Sequence, residues 1–98
     1  MPVELFKKEA PKVAETYFES LGALKEYSSI LDTKTCELLL IAALVATRSL
    51  GIDNHIKGAK EKGISDSEII AAIILTLPIC GIGTVMHGLD IAKKVLDI

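Results

Sequence analysis

Residues 31–51 read LDTKTCELLLIAALVATRSLG. Asp32 is a favourable N-cap residue and Gly51 a favourable C-terminal stop. Between Glu37 and Thr47 every residue of LLLIAALVA is apolar, so no face of this helix is polar. A helix that is apolar all round is buried by its neighbours. The rest of the chain must therefore supply helices to surround it. No alternating apolar/polar run marks a strand, and β-branched residues fall mostly in helical registers. The pattern predicts an all-α fold of about six helices.

Upstream, Val3–Lys8 can form a short first helix. Pro11 suits the first turn of a second, running to about Leu24. In that helix Val13, Tyr17 and Leu21 share a face, and Glu15 and Glu19 point away from it. Downstream, DNHIKGAKEKG reads as a helix capped by Asp53 and stopped by Gly63. Ser65 and Glu68 then form an S-x-x-E capping box, and Ile64 with Ile69 can staple it. The fifth helix starts at Ser65 or Asp66, and Pro78 bends or ends it. A sixth runs from about Gly83 to Leu96.

The chain has 98 residues, enough for one domain spanning 1–98. Half of them are hydrophobic, with mean hydropathy +0.44. A chain this short buries a small fraction of its surface, so self-association is the simplest outlet for the excess. Net charge is −2, and ten of the eleven basic residues are scattered lysines. With four aromatics in total, the sequence lacks the clustered cations and aromatics of a nucleic-acid platform. The start MPVELFKKEAP lacks the apolar segment of a signal peptide. Ile69–Met86 is uncharged over 18 residues, at the threshold for a membrane span. Pro78, Gly81 and Gly83 interrupt it, so it reads as a buried helix, a break and a new helix. A cytoplasmic protein with no membrane span is expected. Glutamine is absent and Asn54 is the only asparagine, in keeping with a heat-loving source.

Few polar residues are placed to carry chemistry. Glu37 lies on the apolar helix and needs a partner if buried; alternatively it is a first-turn Glu with its head in solvent. His55 falls in the first turn of the fourth helix, where the dipole favours neutral imidazole. It is either an acid/base group or a packing histidine. Arg48, the only arginine, lies eleven residues after Glu37. Eleven residues are about three turns, so the two project from about the same side, roughly 16 Å apart and too far to pair. Arg48 can anchor a carboxylate or complement the helix C-terminus. His87 follows the glycine-rich break. Cys36 and Cys80 form no CxxC and no metal-ligand spacing, which points to two reduced packing thiols and no metal site.

Three segments, LDTKTCELLLIAALVATRSLG, HIKGAKEKGISDSEII and CGIGTVMHGLDIAKKVLD, resemble the carboxymuconolactone decarboxylase family of the AhpD-like superfamily. The shared features are Leu31 through Glu37, then His55, Gly63, Ser65–Glu68 and Gly81–Gly83. They cover about residues 30–97, roughly two-thirds of the chain. The resemblance implies a helical domain assembling into trimers or hexamers, with an active site near a subunit interface.

The redox branch of the superfamily carries CxxC seven and four residues before the histidine, positions held here by Arg48 and Gly51. Disulfide exchange needs two thiols at one place. The decarboxylase branch also lacks CxxC, and the HIKGA phrase at His55 resembles it, which implies cofactor-free acid/base chemistry on a small carboxylated metabolite, by decarboxylation or a lactone-type lyase or isomerase reaction. On that resemblance His55 is the general acid/base, Glu37 orients or relays, Arg48 binds substrate carboxylate and His87 walls the pocket. Departures cluster around the pocket: Cys36 replaces a usual Arg, Gly83 a usual Pro, and His87 an Asn-like position. The alternatives are a thiol-dependent antioxidant protein and a non-catalytic oligomeric binding protein.

Overall fold

The computed structural model describes residues 2–98. Among them are seven helical segments and no strand: α1 (Pro2–Glu9), α2 (Pro11–Ala23), α3 (Lys25–Ser28), α4 (Thr33–Ala46), α5 (Ile52–Glu61), α6 (Asp66–Ile74) and α7 (Leu77–Leu96). The all-α class is as the sequence predicts. The single turn α3 is additional. The chain divides into two compact units, one ending at Asp32 and the other spanning Thr33–Ile98.

In the first unit, Pro11 occupies the first turn of α2, where its missing N–H leaves no intrahelical bond unmade. Phe6 meets Tyr17 edge-on at 6.0 Å, and Tyr17 meets Phe18 at 5.1 Å. The Lys7 ammonium lies 5.2 Å from the Phe18 ring centre, a cation–π distance. Ala14 is the only buried residue described in α1–α3. Val13, Tyr17 and Leu21, the expected apolar face of α2, are all exposed.

The second unit holds the core. Helices α4, α5, α6 and α7 pack against one another around Ile41, Val45, Ile56, Ile69 and Ile73, each 0 % exposed. The complete burial expected for α4 is not met. Ile41 and Val45 face the core, while Leu39 and Leu40 are exposed. Helices α5–α7 cover one side of α4 and leave the other open.

Two helix ends differ from the sequence expectation, and both shape the site. Helix α4 stops at Ala46 instead of continuing to Gly51. The Arg48 N–H donates to the Val45 carbonyl at 3.1 Å, and the Ser49 N–H to the Leu44 carbonyl at 2.9 Å. This is the Schellman pattern, whose left-handed position is usually glycine. Here Arg48 occupies it, at φ 51°. The shared side inferred for Glu37 and Arg48 assumed one continuous helix, so it fails. The second difference is at Pro78. This residue lies in the first turn of α7, after α6 has already ended at Ile74. The break falls instead at Gly81, whose φ 81° and ψ 167° kink α7.

The same Schellman pattern closes α5 as expected. The Gly63 N–H (φ 84°) reaches Lys60 at 3.0 Å and the Ile64 N–H reaches Ala59 at 3.1 Å. Its N-cap is Gly51, with Asp53 inside the first turn instead of capping it.

The capping box at α6 forms as predicted. The Glu68 N–H donates to Ser65 Oγ at 3.2 Å, and the Ser65 N–H donates to Glu68 Oε1 at 3.1 Å. Ile64 and Ile69 on either side are buried. Lys34 on α4 reaches Glu68 Oε2 at 2.8 Å. The Lys34 bond first, then the Ser65 donors, hold the Glu68 carboxyl down from 4.5 to about 2. A depressed folded-state pKa contributes stability above the unfolded value, and that contribution is lost as pH falls through the folded one. Glu68 thus supports the fold above about pH 4.5, and its support disappears between there and about pH 2. Glu68→Gln is expected to melt lower than the parent at pH 6, with the gap closing as thermal melts are taken to pH 2.5. A gap that stays constant with pH would count against the assignment.

Candidate functional site

The largest described concavity of the second unit has a volume of about 480 Å³, within the range of small-molecule sites. One wall is the turn between α4 and α5 with the start of α5, residues 48–53. The other is a stripe of α7 formed by His87, Ile91, Lys94 and Val95. Residues three and four apart share a helix face, so the stripe follows directly from the α7 register. The Schellman turn at Arg48 and the left-handed Gly51 (φ 92°) let the chain reverse tightly between α4 and α5.

Arg48 is fixed at one end. Its Nε donates to Thr84 Oγ1 at 3.1 Å, and Thr84 lies one turn before His87 on α7. A Cβ placed on Gly83 would lie 3.9 Å from Arg48 Nη2, so the guanidinium runs along the chain just after the Gly81 kink. With Nε engaged, the two terminal nitrogens remain for a ligand. A guanidinium fork matches a carboxylate in bidentate fashion.

Of the four residues singled out by sequence, the structure brings Arg48 and His87 together on one pocket. His55 lies beside it and not in its lining. Its backbone N–H donates to the Gly51 carbonyl at 3.0 Å, and its Cδ2 is 3.9 Å from where a Gly51 Cβ would stand. His55 is half-buried, and among the described residues no side-chain hydrogen bond to its imidazole is found.

Glu37 is held elsewhere. Its carboxylate, 13 % exposed, pairs with Lys62 at 2.5 Å, tying the N-terminal half of α4 to the end of α5. This satisfies the need for a partner that the sequence identified, with a lysine instead of His55. Cys36 and Cys80 are in no disulfide, and Cys80 Sγ donates to the Thr76 carbonyl at 3.3 Å.

Sequence reasoning missed Thr84, Asp53 as a pocket residue, and Lys94. Lys94 was readable from its helical spacing to His87. Thr84 and Asp53 were not, because their roles depend on where the α4–α5 turn falls.

The fold and site define a small helical domain whose pocket presents one arginine on a strained turn opposite an amphipathic helix face. The chain belongs to the carboxymuconolactone decarboxylase family, which it matches over residues 11–94. The match extends upstream of the resemblance seen from residue 30 and runs through both compact units. The fold is the all-α, AhpD-like one. No curated protein matches the chain, and no solved structure does. No helix among the described residues is long and apolar enough to cross a membrane.

Proposed function

We propose that this protein uses the Arg48–His87 pocket to bind a small carboxylated metabolite and to perform acid/base chemistry on it without a cofactor. The reaction is a decarboxylation or a lactone-type lyase or isomerase step. The observation carrying this reading is Arg48, an arginine placed where the backbone favours glycine, with Nε engaged by Thr84 and its side chain on the pocket. A strained position is kept where the surroundings over-determine it, often at functional sites.

His55 is proposed as the general acid/base, acting across the Gly51 edge of the pocket. Glu37 is proposed to orient the helices through Lys62. Proton relay demands hydrogen-bond reach or one bridging water. His55, which stands beside the lining residue Gly51, is proposed to meet that demand at the substrate's edge.

The assembly proposed is a trimer or hexamer in the cytoplasm. Support comes from the exposed Val13, Tyr17 and Leu21 of α2 and Leu39 and Leu40 of α4, apolar surface of the kind that self-association covers.

Carboxymuconolactone, the compound in the family's name, is the first substrate to assay, with loss of carbon dioxide as readout. Turnover by the parent, with His55→Asn lowered about 100-fold or more, is the expected result. Equal turnover by His55→Asn removes His55 from the chemistry. A second reading, a non-catalytic carboxylate-binding protein, draws support from the Glu37–Lys62 pair. It is favoured if the pocket binds carboxylates but no lactone is turned over.

A further inference from the structure

Histidine is the side chain whose charge ordinarily changes in the neutral pH range, and His87 is the only histidine in the described pocket lining. It is exposed, and it lies on α7 one turn after Thr84. Thr84 Oγ1 accepts from Arg48 Nε at 3.1 Å, and residues three apart on a helix have Cβ atoms about 5–6 Å apart. His87 therefore stands beside the residue that holds the guanidinium, on the same concavity. The fixed charges around it cancel in number. Arg48 and Lys94 are positive, whereas Asp53 on the opposite wall and Asp90, which pairs with Lys94 at 3.1 Å, are negative. Neither α4 nor α6 supplies a residue to the described lining, and His55 stands beside Gly51 and outside it. With His87 neutral, these groups carry no excess charge. With His87 protonated, they carry one excess positive charge. An anion favours the charged form of a neighbouring histidine, so a bound carboxylate and the imidazolium stabilise each other.

We propose that His87 is a second anion-binding group of the pocket, taking up one proton from solvent as the ligand carboxylate binds beside Arg48. No bond of the ligand changes in this step. The proton passes from buffer to the imidazole, and ligand release returns it. Affinity therefore falls as pH rises through the neutral range. This uptake rests on the reading above that Arg48 holds the carboxylate. Asparagine, the kind of residue that the family resemblance places at this position, carries no such proton.

Calorimetric titration of the full chain with benzoate, a carboxylate that stays ionised between about pH 6 and pH 8, tests this. The parent is expected to bind benzoate about threefold or more tighter at pH 6 than at pH 8. His87→Asn is expected to remove that dependence, with affinity at pH 8 within about twofold of the parent. His55→Asn is expected to keep it. The chain has two histidines, so the imidazole NMR signals of His55→Asn belong to His87, and they are expected to titrate at higher pH with benzoate than without. Affinity that does not change with pH, or a dependence that survives His87→Asn, overturns the role of His87. Arg48 remains the anchor in that case if Arg48→Gly still abolishes binding at pH 8. Binding that is indifferent to Arg48→Gly overturns the anchor instead, even where the dependence on His87 stands. No binding of benzoate at millimolar concentration overturns both.

Discussion

Replacing Gly88 with alanine is expected to destabilise the Thr33–Ile98 unit by about 1–3 kcal/mol, although alanine is the better helix former by about 1 kcal/mol. The reason is space. A Cβ at position 88 would stand 2.7 Å from Val45 Cγ1 and 3.1 Å from Ile73 Cγ2. Both neighbours are 0 % exposed and lie on different helices, α4 and α6. Neither can withdraw into solvent, so α7 must shift away from both or the side chains must leave their rotamers. At Gly88 the α7 backbone packs directly against Val45 of α4 and Ile73 of α6, and the absence of a side chain permits that approach. The diagnostic is the double variant. Val45→Ala alone opens a cavity and costs about 2 kcal/mol. In Val45→Ala/Gly88→Ala the new methyl enters the space that valine vacates, so the double is expected to lose less than the sum of the singles. Urea unfolding at one fixed protein concentration measures this, since assembly makes stability concentration-dependent. Additive losses would mean that position 88 does not meet Val45.

The sequence carried the fold class because its strongest signals were local. The Ser65–Glu68 capping box and the Gly63 stop each act over a few residues, and the helix start and helix end they mark formed there, whereas α4 formed but stopped short of Gly51. The breaks were harder. Pro78 reads as a terminator, yet proline is equally at home in a first helical turn, and the backbone places it there. The end of α4 was hidden for a related reason. Glycine marks a left-handed stop in sequence, and Arg48 takes that conformation without advertising it.

The site was legible to the same degree. Arg48 and His87, both singled out in the sequence, line one concavity. The pairing of Glu37 was not legible. It depends on Lys62, 25 residues away and brought back by the chain reversal between α4 and α5, one of many scattered lysines in the sequence. Thr84 escaped notice because a single hydroxyl carries no pattern until the guanidinium beside it is seen.

Arg48→Gly is expected to leave the fold as stable as the parent or up to about 1 kcal/mol more stable, while carboxylate affinity falls at least tenfold. The two effects have opposite signs because they come from different parts of the residue. A non-glycine residue in the left-handed region costs of order 1 kcal/mol or more, and Arg48 sits there at φ 51°. Glycine removes that strain, offset by its own greater chain entropy when unfolded and by loss of the exposed bond to Thr84, worth about 0.5–1.5 kcal/mol. The side chain makes the other contribution. A charge-assisted bond from arginine to a bound carboxylate contributes about 1.5–3 kcal/mol, and every 1.4 kcal/mol is tenfold in affinity. Arg48→Ala separates the two. It loses the same ligand contact but keeps the left-handed strain, so it should be about 1 kcal/mol less stable than Arg48→Gly with equally weak binding. Among the described residues Asp97, at φ 56°, is the other non-glycine residue in this region, and it lies at the end of α7 outside the pocket lining. Asp97→Gly should therefore leave benzoate binding unchanged. If Arg48→Gly proves less stable than Arg48→Ala in thermal melts, the turn is not left-handed at this residue. The argument that Arg48 is kept there for binding would then lose its physical basis.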